Sequence, residues 1–281
     1  MKKENLLSSG LRLQVSIQDN AKPRTLLLLH GFMDCSETFF PLIPMLSQYF
    51  NLVSFDLRGH GNSAHAANGI YSYQESLIDT MRIAECYLPE KFSILGHSFG
   101  ASLAARFAGL FPEKIRSLVC VEGFSGLKTP SEERNRIRQW LLQSIDMETK
   151  ERWMSEATAQ KVIASLYPAH TTENREKILQ YMTLRTEKGI KWKYDPALKN
   201  SFPMPFPPEL SRELWQNIDS PVLIAMGKDS HLYPKNMAEI LKNFQQLTYV
   251  EIAGVGHNIH HEAPQILSDE ILKFYKATKI I

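Results

Sequence analysis

Six short apolar runs, at residues 26–29, 52–55, 92–95, 117–121, 221–226 and 248–252, set the tightest limit on what this chain can fold into. They are nearly continuous rather than alternating, which is the pattern of strands buried on both faces of a parallel sheet. Helix-like stretches separate several of them, at 73–87, 99–111 and 234–244. A proline-initiated stretch with an apolar stripe, 264–276, reads as a closing helix. Parallel neighbours need long crossovers and helices supply them, so the alternation predicts a doubly wound, mostly parallel α/β sheet with right-handed connections. Residues 11–17 alternate in character and read as an antiparallel strand leading into that sheet.

The alternation stops after Gly123 and resumes near Pro221. The stretch between holds charge and aromatics, among them Arg134, Arg136, Arg138, Trp140, Trp153, Tyr181 and Trp192, but no buried-strand pattern. Its periodic parts read as helices, and the proline-rich 201–208 as a stiff extended return. The expected division is a core made of residues 1–123 and 216–281, with a helical lid, 124–215, inserted between two strands.

Composition narrows the function classes. A formal charge of +2 over 281 residues, with no basic block, gives no footprint for nucleic acid. Lys2 and Lys3 are followed at once by Glu4 and Asn5, so the apolar core of a secretory signal is missing, and no apolar run approaches the length of a membrane span. Cys35, Cys86 and Cys120 are scattered and lack metal-ligand spacing, which points to free thiols in a reducing compartment. The expectation is a cytoplasmic protein acting on a small molecule, without nucleic acid or membrane span.

The chemistry concentrates at strand ends. Gly96-His97-Ser98-Phe99-Gly100 lies between a strand run and a helix run. A serine on so sharp a turn projects its hydroxyl above the sheet, beside a helix N-terminus that favours negative charge. His30-Gly31-Phe32 follows an earlier strand. Acyl transfer needs two N–H donors aimed at a developing oxyanion, and the backbone amides of Phe32 and Phe99 are placed to supply them. A nucleophile of this kind is followed in chain order by an acid and then a histidine. His257, in Gly254-Val255-Gly256-His257, is the expected base. Asp229, in Gly227-Lys228-Asp229-Ser230, is the favoured acid, with Glu122 at the end of the 117–121 run as the alternative. His260 and His261 read as surface or packing residues. His30, His60, Asp56 and Arg58 read as residues that hold loops.

Together these motifs resemble the α/β-hydrolase superfamily: HGF, DLRGHG, GHSFG, GKDS and GVGH occur in family order, across residues 22–123 and 216–275. A closer similarity is to the serine hydrolase-like branch. It rests on His30-Gly31-Phe32-Met33-Asp34, on Val121-Glu122-Gly123-Phe124, and on the lid segment from Arg185-Thr186 to Lys193-Tyr194-Asp195-Pro196. Relatives on the same scaffold that attack with a carboxylate carry Asp where this chain has Ser98. The resemblance implies a cofactor-free, metal-free serine hydrolase acting on an ester, thioester or lactone with a hydrophobic part. Phe124, Trp140 and Trp153 are candidates for the pocket wall. Carbon–carbon bond hydrolysis or perhydrolysis on the same residues is the alternative chemistry. A non-catalytic ligand-binding module is disfavoured, because a pure binder has no use for the partners of a nucleophile.

Overall fold

The computed structural model describes residues 1–124, 130–145, 153–168, 170–200 and 207–281. Strands β1 (Lys2–Ser8) and β2 (Leu11–Gln18) form an antiparallel hairpin, and β2 pairs antiparallel with β4 (Asn51–Phe55). The rest of the eight-stranded sheet is parallel: β3 (Thr25–Leu29), β5 (Phe92–His97), β6 (Ile115–Val121), β9 (Val222–Gly227) and β10 (Leu247–Ile252), in the order β1-β2-β4-β3-β5-β6-β9-β10. All six predicted runs are therefore parallel strands, and the 11–17 segment is the antiparallel neighbour expected of it. Strand β1 was not foreseen. Its Lys-Lys-Glu-Asn start hides a seven-residue strand whose connection, Ser9-Gly10, has positive φ at both positions, as a tight hairpin turn requires.

Successive side chains of a strand face opposite ways, so Leu27 and Leu29 join one core cluster and Leu26 and Leu28 the other. The first cluster packs α3 (Phe99–Leu110), with part of α2 (Tyr73–Tyr87) and α8 (Met237–Leu241). The second packs α1 (Ile43–Leu46), α9 (Ile259–Glu262) and α10 (Pro264–Ala277). A capping box at Ser72 and Glu75 starts α2.

The chain leaves β3 toward β4 on one side and β5 toward β6 on the other. The sheet therefore reverses direction between β3 and β5, and the crevice at their carboxyl ends is where open α/β sheets place ligands. Two glycines let the chain pass there. A Cβ on Gly100 would lie 2.1 Å from the Leu29 carbonyl oxygen, and one on Gly31 2.9 Å from His97 Nδ1.

Between β6 and β9 the chain leaves the sheet. It forms α4 (Pro130–Ile145), α5 (Glu156–Leu166), α6 (Thr172–Met182) and α7 (Pro208–Gln216). The stretch is not all helix. A hairpin of β7 (Thr183–Thr186) and β8 (Gly189–Trp192) lies within it, tied to Met154 by paired backbone hydrogen bonds with Ile190. Most of the proline-rich return, 201–206, lies outside the described residues. This segment has its own small core of Ala159, Ile163, Tyr167, Ile178, Leu179 and Met182, which also takes in Cys35. It is further fastened to the sheet layer by Tyr71, whose hydroxyl donates to Asp195, and by Asp195 N–H, which donates to the Gly59 carbonyl.

The loop motif after β4 is structural, as the sequence indicated. Asp56 accepts hydrogen bonds from Ser36 and from Asn62 N–H, and Arg58 forks onto Asp79 at 2.7 and 2.8 Å. His30 donates from Nδ1 to the Gly31 carbonyl and accepts at Nε2 from Leu57 N–H, bracing the turn after β3. Among the described residues no helix is long and apolar enough to cross a membrane.

The close approach of α3 to β3 is testable. Because the clash at Gly100 is with backbone, Gly100→Ala is expected to destabilise the fold by about 2–3 kcal/mol, in the range of core overpacking. Urea unfolding should show a lowered midpoint with an unchanged slope. An unchanged midpoint would mean that α3 is not pinned at this point.

Candidate active site

Ser98 follows β5 directly, with φ 53° and ψ −114°, a strained backbone for a residue with a side chain. Two hydrogen bonds hold it there: its N–H donates to the Val121 carbonyl at the end of β6, and its carbonyl accepts from Ser102 N–H in the first turns of α3. The turn after β3 lies against it, since a Cβ on Gly31 would be 3.5 Å from Ser98 Cβ. Phe99, at the first position of α3, has a backbone N–H that the helix itself leaves unused. The Phe32 and Phe99 rings lie 6.3 Å apart.

His257 Nε2 lies 2.9 Å from Ser98 Oγ, and its Nδ1 lies 2.9 Å from Glu122 Oε2. A carboxylate only accepts, so Nδ1 carries the hydrogen and Nε2 presents its lone pair to the Ser98 hydroxyl. That is the tautomer a general base needs.

The partner of His257 is therefore Glu122, the alternative acid of the sequence reading, and not the favoured Asp229. Glu122 is buried, with a φ of 57°, immediately after β6. Its carboxylate is held from three sides: Oε1 accepts from Gly227 N–H, and Oε2 accepts from Ser230 Oγ at 2.7 Å and from His257. Asp229 stands one residue from Ser230 but is exposed, and its N–H is tied to the Val255 carbonyl. The end of β9 and the turn after it thus contribute a backbone amide and a serine to Glu122 rather than the acid itself.

A cavity of about 350 Å³ opens beside Ser98 and His257. Val162, Leu166, Tyr167, Met182, Trp192 and Tyr194 form its outer wall, Phe32 and Met33 its flank, and Asp34, His97 and Lys199 its polar positions. Phe124, Trp140 and Trp153 are not among its lining residues. Phe124 is instead core, its ring packed edge-on against Trp215 at 5.3 Å and Phe244 at 5.7 Å. Lys191 Nζ sits 5.1 Å over the Trp153 ring. Of the aromatics that do reach the cavity, Phe32 comes from the turn after β3, and the others come from the end of α5 and from β8 and the residues just past it, where helical spacing gave no signal.

Histidines crowd the inner wall. His97 donates from Nε2 to the His257 carbonyl at 3.0 Å. His260 and His261 are buried packing residues, and His261 Nδ1 meets His170 Nε2 of the inserted segment at 2.8 Å. Burial lowers the pKa of His30 to about 4 and those of His60 and His97 to about 3, and pushes His260 well below the ordinary value of 6.5. Burial raises Asp34 to about 7.

Comparison with known proteins agrees with this fold. The family model described as "alpha/beta hydrolase fold" matches residues 24–264. A zebrafish (Danio rerio) serine hydrolase-like protein is 27% identical over 275 residues, covering 89% of this chain and 81% of its own. Human serine hydrolase-like protein 2 is 26% identical, covering 91% of this chain and 88% of its own. Among solved structures, the thioesterase domain from the curacin biosynthetic pathway superposes with a TM-score of 0.86 at 24% identity, over 97% of this chain and 99% of that one, which shows the shared fold.

Two outcomes follow from the site. If Glu122 orients His257, Glu122→Gln should slow fluorophosphonate labelling of Ser98 by on the order of 10³, while Asp229→Asn stays within a few-fold of the unaltered chain. Intact-protein mass spectrometry over time measures both, and the reverse ranking would return the acid to Asp229.

The second concerns pH. Folded histidines with depressed pKa values stay neutral where unfolded ones protonate, so stability is full above pH 6.5 and falls as pH drops toward 4. By pH 5 each of His30, His60 and His97 costs about 2 kcal/mol. Asp34 opposes them. It is protonated in the fold below about 7 and ionised in the unfolded chain down to 3.8, which gains about 2.7 kcal/mol by pH 5. Three imidazoles against one carboxyl leave a net loss of about 3 kcal/mol, and His260 and His261, lowered by burial in the same sense, add to it. Urea midpoints at pH 7 and pH 5 test this, and an equal or higher midpoint at pH 5 would contradict it.

Proposed function

The chain belongs to the α/β-hydrolase family, and from that premise we propose that it is a serine hydrolase cleaving a carboxylic ester or a related acyl bond, a thioester or lactone, through an acyl-enzyme. The observation that carries the reading is the unbroken relay from Ser98 Oγ through His257 to Glu122, with both contacts at 2.9 Å. The serine hydrolase-like relatives support it.

In this reading Ser98 Oγ attacks the substrate carbonyl carbon as its proton passes to His257 Nε2. Glu122, fixed by Gly227 and Ser230, stabilises the imidazolium without taking the proton. The oxygen of the tetrahedral intermediate takes hydrogen bonds from the backbone amides of Phe32 and Phe99. His257 then protonates the departing alcohol or thiol. Water, activated by the same ring, releases the acid and restores Ser98. Residues 124–215 act as the lid, and the apolar wall they give the cavity favours a hydrophobic acyl or alcohol part.

A panel of p-nitrophenyl and thioester substrates of increasing acyl length tests the proposal. The expected result is measurable turnover with kcat/KM rising with acyl length until the cavity is filled, and a loss of at least about 10³-fold in Ser98→Ala. Turnover that survives Ser98→Ala, or a folded enzyme inert toward every member, would refute it.

A further inference from the structure

Behind the catalytic histidine lies a second polar cluster that the hydrolytic relay does not use. Asp34, in the turn after β3, His97, at the end of β5, and His260, in α9, bring one ligand atom each to within 4.8 Å of one another. His97 and His260 are buried, and their rings lie 4.2 Å apart between centroids. Four of the polar atoms here are shut off from solvent with no hydrogen-bond partner among the described residues: Asp34 Oδ1, His97 Nδ1, and both ring nitrogens of His260. Leaving such atoms unsatisfied costs about 1–3 kcal/mol each, and three of them, one from each residue, lie close enough to share a single partner.

The hydrogen-bond pattern says what kind of partner fits. His97 Nε2 faces a carbonyl oxygen, which can only accept, so that nitrogen carries the hydrogen and Nδ1 holds a lone pair. A second-site hydrogen bond that fixes the tautomer in this way is the usual support of a metal-ligating histidine. Asp34 is braced likewise, its Oδ2 accepting from Thr38 Oγ1 at 2.9 Å while Oδ1 remains available. Two imidazoles and one carboxylate form a donor set suited to zinc and its neighbours rather than to calcium or magnesium.

We propose that Asp34, His97 and His260 bind one zinc-class divalent cation at the inner wall of the Ser98 cavity, and that the bound ion inhibits hydrolysis. Zinc bonds of about 2.0–2.2 Å separate tetrahedral ligand atoms by about 3.3–3.6 Å, so the three groups need to close in by little more than about an ångström. Asp34 and His97 also line the cavity, which provides an entry path and room for water in the remaining position. Inhibition follows from charge. The His97 ring lies 5.1 Å from that of His257, and a cation beside it disfavours the imidazolium that must form when Ser98 attacks. The binding claim stands apart from the proposed hydrolysis, because it is measured without substrate.

The test uses the full chain, stripped with chelator and titrated with Zn²⁺ against a chromophoric competitor. One equivalent should bind in the micromolar range or tighter, and X-ray absorption should show two imidazole nitrogens and one carboxylate oxygen near the distances above. His260→Gln and Asp34→Asn should each weaken binding at least tenfold and remove inhibition by Zn²⁺, while His257→Gln leaves binding within about threefold. A dissociation constant weaker than about 100 µM in the unaltered chain would overturn the proposal. So would undiminished binding in both cluster variants, or binding lost with His257, which would seat the ion on the catalytic residues instead. If either cluster variant fails to fold, the absorption spectrum of the unaltered chain decides alone.

Discussion

The buried carboxylate of Glu122 is the contact on which the site depends. A charge so far from water is tolerable only when donors surround it, and here three are aimed at it: a backbone amide from Gly227, a hydroxyl from Ser230 and the ring N–H of His257. Two of these come from the end of β9 and the turn that follows it, and one from the turn after β10. A single side chain just past β6 thereby fixes the relative position of three strand ends. The residue before it, Val121, accepts the hydrogen bond that seats Ser98. Ser98 and the Glu122 carboxylate are thus held by consecutive residues of one strand end, and His257 closes the ring between them.

That arrangement requires the sheet to deliver its strand ends in register. The reversal between β3 and β5 opens the crevice, and the close approach of α3 to the Leu29 carbonyl, possible only at Gly100, keeps the turn at Ser98 tight against the turn at Gly31. The strain at Ser98 is sustained by its surroundings: a helix on one side, two parallel strands on the other, and core clusters on both faces. The inserted segment has its own core and meets the sheet layer through Asp195 and through the His170–His261 pair, so the cavity wall can be built from residues that share little with the catalytic strands.

Much of this was legible in the amino-acid sequence because it is local. Continuous apolar runs mark buried strands, and a serine between a strand and a helix marks the turn, so the parallel strands and the turn at Ser98 and Phe99 could be read directly. His257 was legible for the same reason. The acid was not, because choosing between Asp229 and Glu122 depends on which strand-end side chain turns inward. Glu122 does so through a positive φ that no residue pattern announces, while Asp229 is held on the outside by its own backbone hydrogen bond. The hairpin of β7 and β8 was hidden by charged residues at its tip, and with it the aromatics Trp192 and Tyr194 that line the cavity in place of Phe124, Trp140 and Trp153. The four residues of α9 are too few to show periodicity, so the burial of His260 and His261 appears only once α10 and the inserted segment are packed around them.

The central claim is that Ser98 forms a covalent bond to the acyl group during turnover. Rapid acid quench in the first turnovers with a p-nitrophenyl ester, followed by peptide mass spectrometry, measures it directly. The account predicts the acyl mass on the peptide containing Ser98, appearing with the burst of nitrophenol and decaying as the acid is released. An acyl group on any other residue, or steady turnover with Ser98 unmodified at every time point, would contradict it.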